Sequence, residues 1–231
     1  MNLIYGTNNP SKLVSLIKML DGLNINIAGL GTLDMKLIEA EENGKDPLSN
    51  ATLKAISYFE QIKQPVFSCD SGLYFEDVSV HDQPGVFIKR IHGNELTYSE
   101  MLSYYSNLAS RYGGKLTAYY KNSICLVMDK DSIYKYDGKD IHSEKFYIVD
   151  KPHVKYREGF PLDSLSVEMK SNKYYYDLED RQSEKLGVIG GFRNFFIRSL
   201  NDYMNANSFW KREANSRSTP YNNALPLFED K

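Results

Sequence analysis

Residues 66–73, Val-Phe-Ser-Cys-Asp-Ser-Gly-Leu, set one carboxylate, Asp70, between two hydroxyls and two apolar runs. A carboxylate in such a setting can take a proton from water or hold a hard cation. Three further polar groupings supply what it lacks alone. Gly6-Thr7-Asn8-Asn9-Pro10-Ser11 is dense in turn residues and leads into Lys12. It joins a short apolar strand, Leu3-Ile4-Tyr5, to a helix. A helix entered this way offers free backbone N–H groups and a positive dipole end to an anion, with Lys12 as an added point charge. The glycines of a Walker A loop are absent. Glu41 and Glu42 open an acidic loop that runs to Asp46, and Lys54 follows on a helix. Each grouping also has an ordinary structural reading: a β-turn bonded to its own backbone, a plain strand-to-helix connection, solvated surface glutamates, and a lysine that snorkels to water.

Hydrophobic periodicity predicts the elements that carry these groups. Leu13, Leu16, Ile17 and Leu20 form one face of a helix with Ser11 as N-cap and a stop at Asp21-Gly22. Short strands are expected at 25–28 and 36–40. Leu48, Ala51, Ala55, Phe59 and Ile62 define a second helix over 48–62, with Lys54 near the edge of its apolar face. Residues 66–75 read as a buried strand, a tight polar turn at 68–72 and a second strand. A turn at Pro84-Gly85 precedes Lys89, Arg90 and His92. Met101, Leu102, Tyr105, Leu108 and Ala109 mark a helix over 98–112. Runs 116–120 and 124–128 read as a β-hairpin, followed by strands at 132–136, 144–149 and 173–178. Phe192, Phe195, Phe196, Ser199, Leu200 and Tyr203 keep a helical period. From about Asn205 the chain turns polar. A single domain over 1–205 is expected, with 206–231 a flexible tail anchored by Leu225, Leu227 and Phe228.

The totals narrow the function classes. Of 231 residues, 42% are apolar and 25% charged, the balance of a soluble globular protein with a core of its own. A net charge of −2 gives no global basic field for nucleic acid. No apolar run approaches the ~20 residues of a membrane span, and the N-terminus lacks the basic and apolar regions of a signal peptide. The two cysteines, Cys69 and Cys125, match no metal or redox spacing and point to a reducing, cytoplasmic compartment.

Taken together, four blocks resemble the inosine triphosphate pyrophosphatase family, which hydrolyses non-standard purine nucleoside triphosphates. Thr7-Asn8-Asn9-Pro10-Ser11-Lys12 is similar to its T-x-N-x-x-K phosphate loop. Glu41-Glu42-Asn43-Gly44 and Asn50-Ala51-Thr52-Leu53-Lys54-Ala55 are similar to its E-x-x-G and N-A-x-x-K-A segments. Asp70-Ser71-Gly72-Leu73 matches D-S-G-L, and Pro84-Gly85-Val86-Phe87 matches P-G-x-[YF]. Further on, Gly159-Phe160-Pro161-Leu162-Asp163 is similar to the G-F-G-Y-D base-pocket loop, and Glu184-Lys185 to an E-K pair before the last helix.

The resemblance implies an α/β fold: a long mixed β-sheet flanked by helices, in two lobes around a central nucleotide cleft. It implies a purine nucleoside triphosphate as substrate, Mg²⁺ as cofactor and a homodimer, with neither nucleic acid nor membrane as partner. Glu41 and Asp70 would be metal ligands and Asp70 the catalytic base. Thr7, Asn8, Asn9, Lys12 and Lys54 would grip phosphates. Ser71, Phe160, Asp163 and Lys185 would contact the nucleotide. Two positions depart from the pattern. Cys69 stands where the family places an acid, and thiols are poor Mg²⁺ ligands. Ile189-Gly190-Gly191 stands where the family has S-H-R, leaving Arg181, Arg193 or Arg198 as substitutes. Two readings follow: an active pyrophosphatase, and a nucleotide-binding or sensing module of the same fold with weakened chemistry.

Overall fold

Leu3, Ile4 and Tyr5 are buried and form β1 (Asn2–Tyr5), from which a mixed sheet grows in both directions. The computed structural model describes residues 1–91, 93–156, 160–178 and 182–217, with 182–187 and 209–217 described as helix backbone only. After β1 come α1 (Pro10–Met19) and β2 (Asn26–Gly29), which pairs parallel to β1. Leu16 and Leu20 are buried while Ile17 is exposed, so the buried stripe of α1 is narrower than the periodicity suggests. Asn9, not Ser11, caps this helix. Its side chain accepts from the Ser11 and Lys12 N–H groups, and Pro10 takes the first helical position, where no N–H is needed.

Residues 36–40 form no ladder. Gln61 stands in for a neighbouring strand there: its side chain accepts from the Ile38 N–H at 2.8 Å and donates to the Ile38 carbonyl at 3.1 Å. Gln61 belongs to α2 (Pro47–Ile62), capped by Asp46.

β3 (Val66–Phe75) runs unbroken through Ser68-Cys69-Asp70-Ser71-Gly72, where a turn is expected from composition. Two short strands, β4 (Arg90–Ile91) and β5 (Asn94–Glu95), pair with each other and lead to α3 (Tyr98–Arg111). β6 (Lys115–Asp129) is likewise one long strand rather than a hairpin. The two departures have one cause. β3 and β6 pair antiparallel over their whole overlap, and their polar middles face each other: Asp70 opposite Ser123, Ser71 opposite Asn122, Gly72 opposite Lys121. Ser71 Oγ donates to Asn122 Oδ1 at 2.7 Å. Each polar stretch gives the other its ladder, and pairing overrides turn propensity. The true hairpin is β6 with β7 (Ser132–Tyr136), turned where Asp129 accepts from the Asp131 N–H.

β8 (Phe146–Val149) pairs with the first part of β6, and β9 (Ser166–Glu168) pairs with β8. Among the described residues, seven strands form one sheet in the order β2-β1-β3-β6-β8-β9, with β7 also on β6. The segment 173–178 is not a strand: Tyr174 makes a single bridge to Val167, and Tyr175–Asp177 is a 3₁₀ turn. α4 (Gln182–Arg217) carries helix well into the segment expected to be tail, while Leu225, Leu227 and Phe228 lie outside the described residues. The chain divides into two compact units, Met1–Phe195 and Phe196–Lys231, and the sheet lies in the first. No helix of the described residues is long and apolar enough to cross a membrane.

Side chains alternate along β3, and different helices cover its two faces. Val66 packs with Tyr58 and Ile62 of α2. Leu73 and Phe75 point the other way, into a core with Met101, Tyr105 and Leu108 of α3. Each fully buried apolar side chain there contributes about 1.5–3 kcal/mol. The same alternation puts Asp70 on the α2 face and Cys69 and Ser71 on the α3 face.

Candidate active site

The site forms where β1 stops and β3 continues. β1 pairs with β3 only as far as Tyr5 opposite Phe67, and Gly6 N–H extends the contact to the Phe67 carbonyl at 2.8 Å. The edge is covered again where Leu73 N–H donates to the Gly85 carbonyl at 2.9 Å. Between these points, among the described residues, β3 has no strand partner on its β1 side, and the gap borders Asp70. Open parallel sheets place ligands at such a break, beyond the carboxyl ends of their strands. Gly6 makes the junction possible: a Cβ there would lie 2.2 Å from Ser68 Oγ and 2.9 Å from the Tyr58 ring.

The polar loop after Gly6 organises itself. Thr7 Oγ1 accepts from the Asn9 N–H at 3.2 Å, and Asn9 Oδ1 accepts from Ser11 and Lys12 at 2.9 and 3.2 Å. Thr7 and Asn9 thus fix the shape of the loop, while Asn8 is exposed. Burial pushes the Lys12 ammonium below its ordinary pKa, the nearby Lys54 adds to that, and Asp70 opposes it.

Asp70 is 8% exposed and held from α2. Asn50 Nδ2 donates to Oδ2 at 3.1 Å and Lys54 Nζ donates to Oδ1 at 3.3 Å. Asn50 and Lys54 are four apart, so one helix face delivers both. Burial raises the Asp70 pKa, Lys54 counters it, and the second carboxylate, Glu42, raises it further. Lys54 also meets Glu42 Oε1 at 3.0 Å. Burial acts to lower Lys54, but Asp70 and Glu42 outweigh it and hold the ammonium above its ordinary value.

Glu42 joins the cluster, while the adjacent Glu41, expected from sequence as the metal ligand, is exposed. Asn50 is the other participant that residue typing alone missed. It is 1% exposed, and its Oδ1 accepts from the Gly44 N–H at 2.8 Å, so one amide ties the acidic loop to Asp70. Its spacing from Lys54 was the available signal.

Cys69 points away from Asp70 and is hydrogen-bonded to Tyr5; burial pushes its thiol up to about 12. Ser71 bonds Asn122, whose amide donates to the Ile141 carbonyl at 2.7 Å. Phe160 is half-buried and leads the 3₁₀ turn Pro161–Leu165. Asp163 lies near Tyr120 on the α3 face and adds to the rise that burial imposes on that phenol. None of Ser71, Phe160 or Asp163 bonds Asp70 directly; a ligand would join them to it by passing round the open edge of β3.

Lys185 falls in the backbone-only part of α4, and Arg181 lies outside the described residues. Arg193 donates to the Met19 and Asp21 carbonyls at 3.3 and 2.5 Å, closing the end of α1 rather than the cleft. Arg198 belongs to the second unit and is exposed. Gly191 packs so closely that a Cβ would lie 2.3 Å from the Asp140 carbonyl oxygen, so an arginine does not fit at this position.

Among the described residues no three His, Cys, Asp or Glu side chains converge as a metal cage. Two carboxylates, Asp70 and Glu42, converge on Lys54. That donor set suits Mg²⁺, which takes one or two protein carboxylates and completes its shell with substrate phosphates and water.

Comparison with known proteins places the chain in a family and matches its fold. A model described as the Ham1 family matches residues 3–175. A dITP/XTP pyrophosphatase of Bradyrhizobium diazoefficiens is 26% identical over 141 residues, which cover 59% of this chain and 65% of that protein. One from Prochlorococcus marinus is 25% identical over 190 residues, covering 81% and 86%. The structure of a HAM1 protein from Coxiella burnetii superposes with a TM-score of 0.64 at 20% identity, covering 88% of this chain and 99% of that one.

Proposed function

Because the chain belongs to the Ham1 family of non-standard purine nucleoside triphosphate pyrophosphatases, we infer that it hydrolyses inosine- or xanthosine-type triphosphates, ribo or deoxy, to the monophosphate and pyrophosphate. The observation that carries this reading is the cluster of buried Asp70 with Lys54, Glu42 and Lys12 at the open edge of β3. A nucleoside triphosphate brings about four negative charges, and they must be neutralised before a nucleophile approaches. Lys12 and Lys54 supply cations in a water-poor setting, and the N-terminus of α1 adds its N–H groups. Incoming phosphate oxygens replace Glu42 on Lys54, freeing a carboxylate at the moment that substrate arrives. Water adds across the α–β anhydride, Asp70 takes its proton, and pyrophosphate leaves. The raised pKa of Asp70 makes it a better proton acceptor than an ordinary carboxylate. Asp70 with Glu42 or Glu41 would hold Mg²⁺, which when bound would supply charge neutralisation and orient the leaving pyrophosphate. Base selection rests on Phe160 and Asp163, with Lys185, since Gly191 leaves no room for an arginine. A cytoplasmic homodimer completes the reading, and light scattering on the purified protein tests the dimer.

The test is pyrophosphate release from inosine, deoxyinosine and xanthosine triphosphates against adenosine and guanosine controls, with and without Mg²⁺. Asp70→Asn should lower turnover about 10²–10⁴-fold while nucleotide still binds. The module reading draws on the glycine pair at 190–191. It predicts nucleotide binding by calorimetry with no pyrophosphate release from the unaltered protein, and that result would sink the catalytic reading.

A further inference from the structure

Charge at the open edge of β3 is close to balanced. Lys12 and Lys54 bring two ammonium groups against the carboxylates of Asp70 and Glu42, and Glu41 is exposed beside them. A polyphosphate brings several further negative charges, so the site calls for another protein cation besides any metal. Arg90 lies outside every sequence block that pointed to the site, and it stands within reach.

The backbone brings it there in steps. The Gly85 carbonyl accepts from Leu73 N–H and bounds the gap on the side away from Gly6. Gly72 permits that approach, since a Cβ on it would lie 3.1 Å from the Gly85 oxygen. Phe87 N–H then donates to the Pro84 carbonyl at 2.9 Å and Arg90 N–H to the Phe87 carbonyl at 3.0 Å, two tight turns that lead into β4. From β4, Arg90 Nη2 donates to the Glu42 carbonyl at 3.2 Å. Glu42 therefore joins Arg90 to the cluster, with its backbone on Arg90 and its carboxylate on Lys54. The Arg90 guanidinium stands over the Phe87 ring, 5.5 Å from its centre. That contact restrains a long exposed side chain and lowers the cost of ordering it on a ligand. A guanidinium has five N–H donors, and the Glu42 carbonyl takes one. Glu95 faces Arg90 in the β4–β5 ladder, yet among the described residues no carboxylate is ion-paired with Arg90. The remaining fork suits phosphate oxygens, which a guanidinium binds two at a time.

We propose that Arg90 is a phosphate-binding residue of this site, the third protein cation on the polyphosphate chain after Lys12 and Lys54. Its contact with the Glu42 carbonyl holds the guanidinium at the edge of the cluster, and its other donors go to the ligand. The inference rests on the reading above for the ligand being a nucleoside triphosphate. The plainer role, a latch that only steadies the acidic loop through Glu42, makes a different prediction about charge.

The experiment is calorimetric titration of inorganic tripolyphosphate, without Mg²⁺ and between about 50 and 200 mM salt, into the full chain and into Arg90→Met, Arg90→Lys and Lys130→Met. Arg90 is exposed, so its replacement leaves the core untouched, and matched melting temperatures check this. Lys130, in the β6–β7 turn, controls for loss of one charge anywhere on the chain. Arg90→Met should weaken binding about tenfold and flatten its dependence on salt. Arg90→Lys keeps the charge and loses the fork, so it should weaken binding less and keep the salt dependence. Lys130→Met should bind as the unaltered protein does. Affinity unchanged in Arg90→Met, affinity lowered with the salt dependence intact, an equal loss in Lys130→Met, or no binding by the unaltered protein would each overturn the proposal. Pyrophosphate release from inosine triphosphate is scored separately on the unaltered protein. Binding that depends on Arg90 without any release would fail the catalytic reading and leave the assignment of Arg90 standing.

Discussion

Replacing Lys54 with methionine tests the electrostatics of the site most directly. Lys54 and Asp70 side chains are 11% and 10% exposed, and Nζ stands 3.3 Å from Oδ1. At that separation and an effective dielectric of about 20, the pair is worth about 5 kcal/mol of Coulomb energy. The loss on removing the ammonium is smaller, because Asp70 can escape by taking up a proton. From an unfolded pKa of about 3.9, protonation at pH 7 costs about 4 kcal/mol, which sets the ceiling. Glu42 is 38% exposed and regains water, so it adds little. The pH dependence follows in sign. Burial already raises Asp70 in the folded state, and removing Lys54 raises it further. An acid with a raised folded pKa penalises the fold fully above that pKa and not at all below its unfolded pKa. The Lys54→Met deficit should therefore be about 3–4 kcal/mol at pH 7–8, at most about 1.5 kcal/mol at pH 5, and near zero at pH 4. Urea denaturation of both proteins across this range measures it, and Lys54→Met/Asp70→Asn should recover most of the loss at pH 8. A deficit independent of pH, or no recovery in the double variant, would refute the reasoning.

Asn50→Ala strips a donor from Asp70 and an acceptor from the Gly44 N–H, and should cost about 2–3 kcal/mol by urea denaturation and lower turnover as the acidic loop loosens. Cys69→Asp places a carboxylate on the face opposite Asp70, beside Tyr5; it should destabilise the fold and leave the Mg²⁺ concentration for half-maximal activity unchanged. A fall in that concentration would mean that position 69 reaches the metal after all. With its thiol pushed up to about 12, Cys69 should resist alkylation at pH 8 in the native protein and react only on unfolding. Gly191→Ala forces a Cβ onto the Asp140 carbonyl and should cost about 1–3 kcal/mol, read as a lower melting temperature.

Local signals in the sequence carried much of the fold. Helices with a clear period, such as 48–62 and 98–112, lie within a residue or so of their expected bounds, because burying one stripe is a local demand. Three of the four sequence blocks meet, through Lys12, Lys54 and Asp70. The departures from local expectation share one physical origin. Ser68–Gly72 and Lys121–Ser123 look like turns because their residue types favour turns, and each is a strand only because the other exists. The partners are about fifty residues apart, and no window along the chain contains both. Glu41 and Glu42 differ only in which way a loop turns them, and the Asn50 amide that pins this loop is likewise distant from Asp70 in sequence.

That mutual dependence also explains why the site sits where it does. An apolar middle to β3 would pair as well, but it would leave nothing ionisable at the point where β1 ends. Polar side chains in the centre of a sheet are tolerable only if each has a partner. Here Asp70 is held by Asn50 and Lys54 from one face, and Ser71 by Asn122 on the other. Lys54 can take up a phosphate without leaving a buried group unsatisfied, since it gives up Glu42, whose side chain is 38% exposed, and keeps Asp70. The Asn50 bond stays in place as charge is exchanged on Lys54. The site can therefore open to an anion on one side of Asp70 while the other side remains fixed, which is the geometry that a proton acceptor needs if substrate arrival is not to displace it.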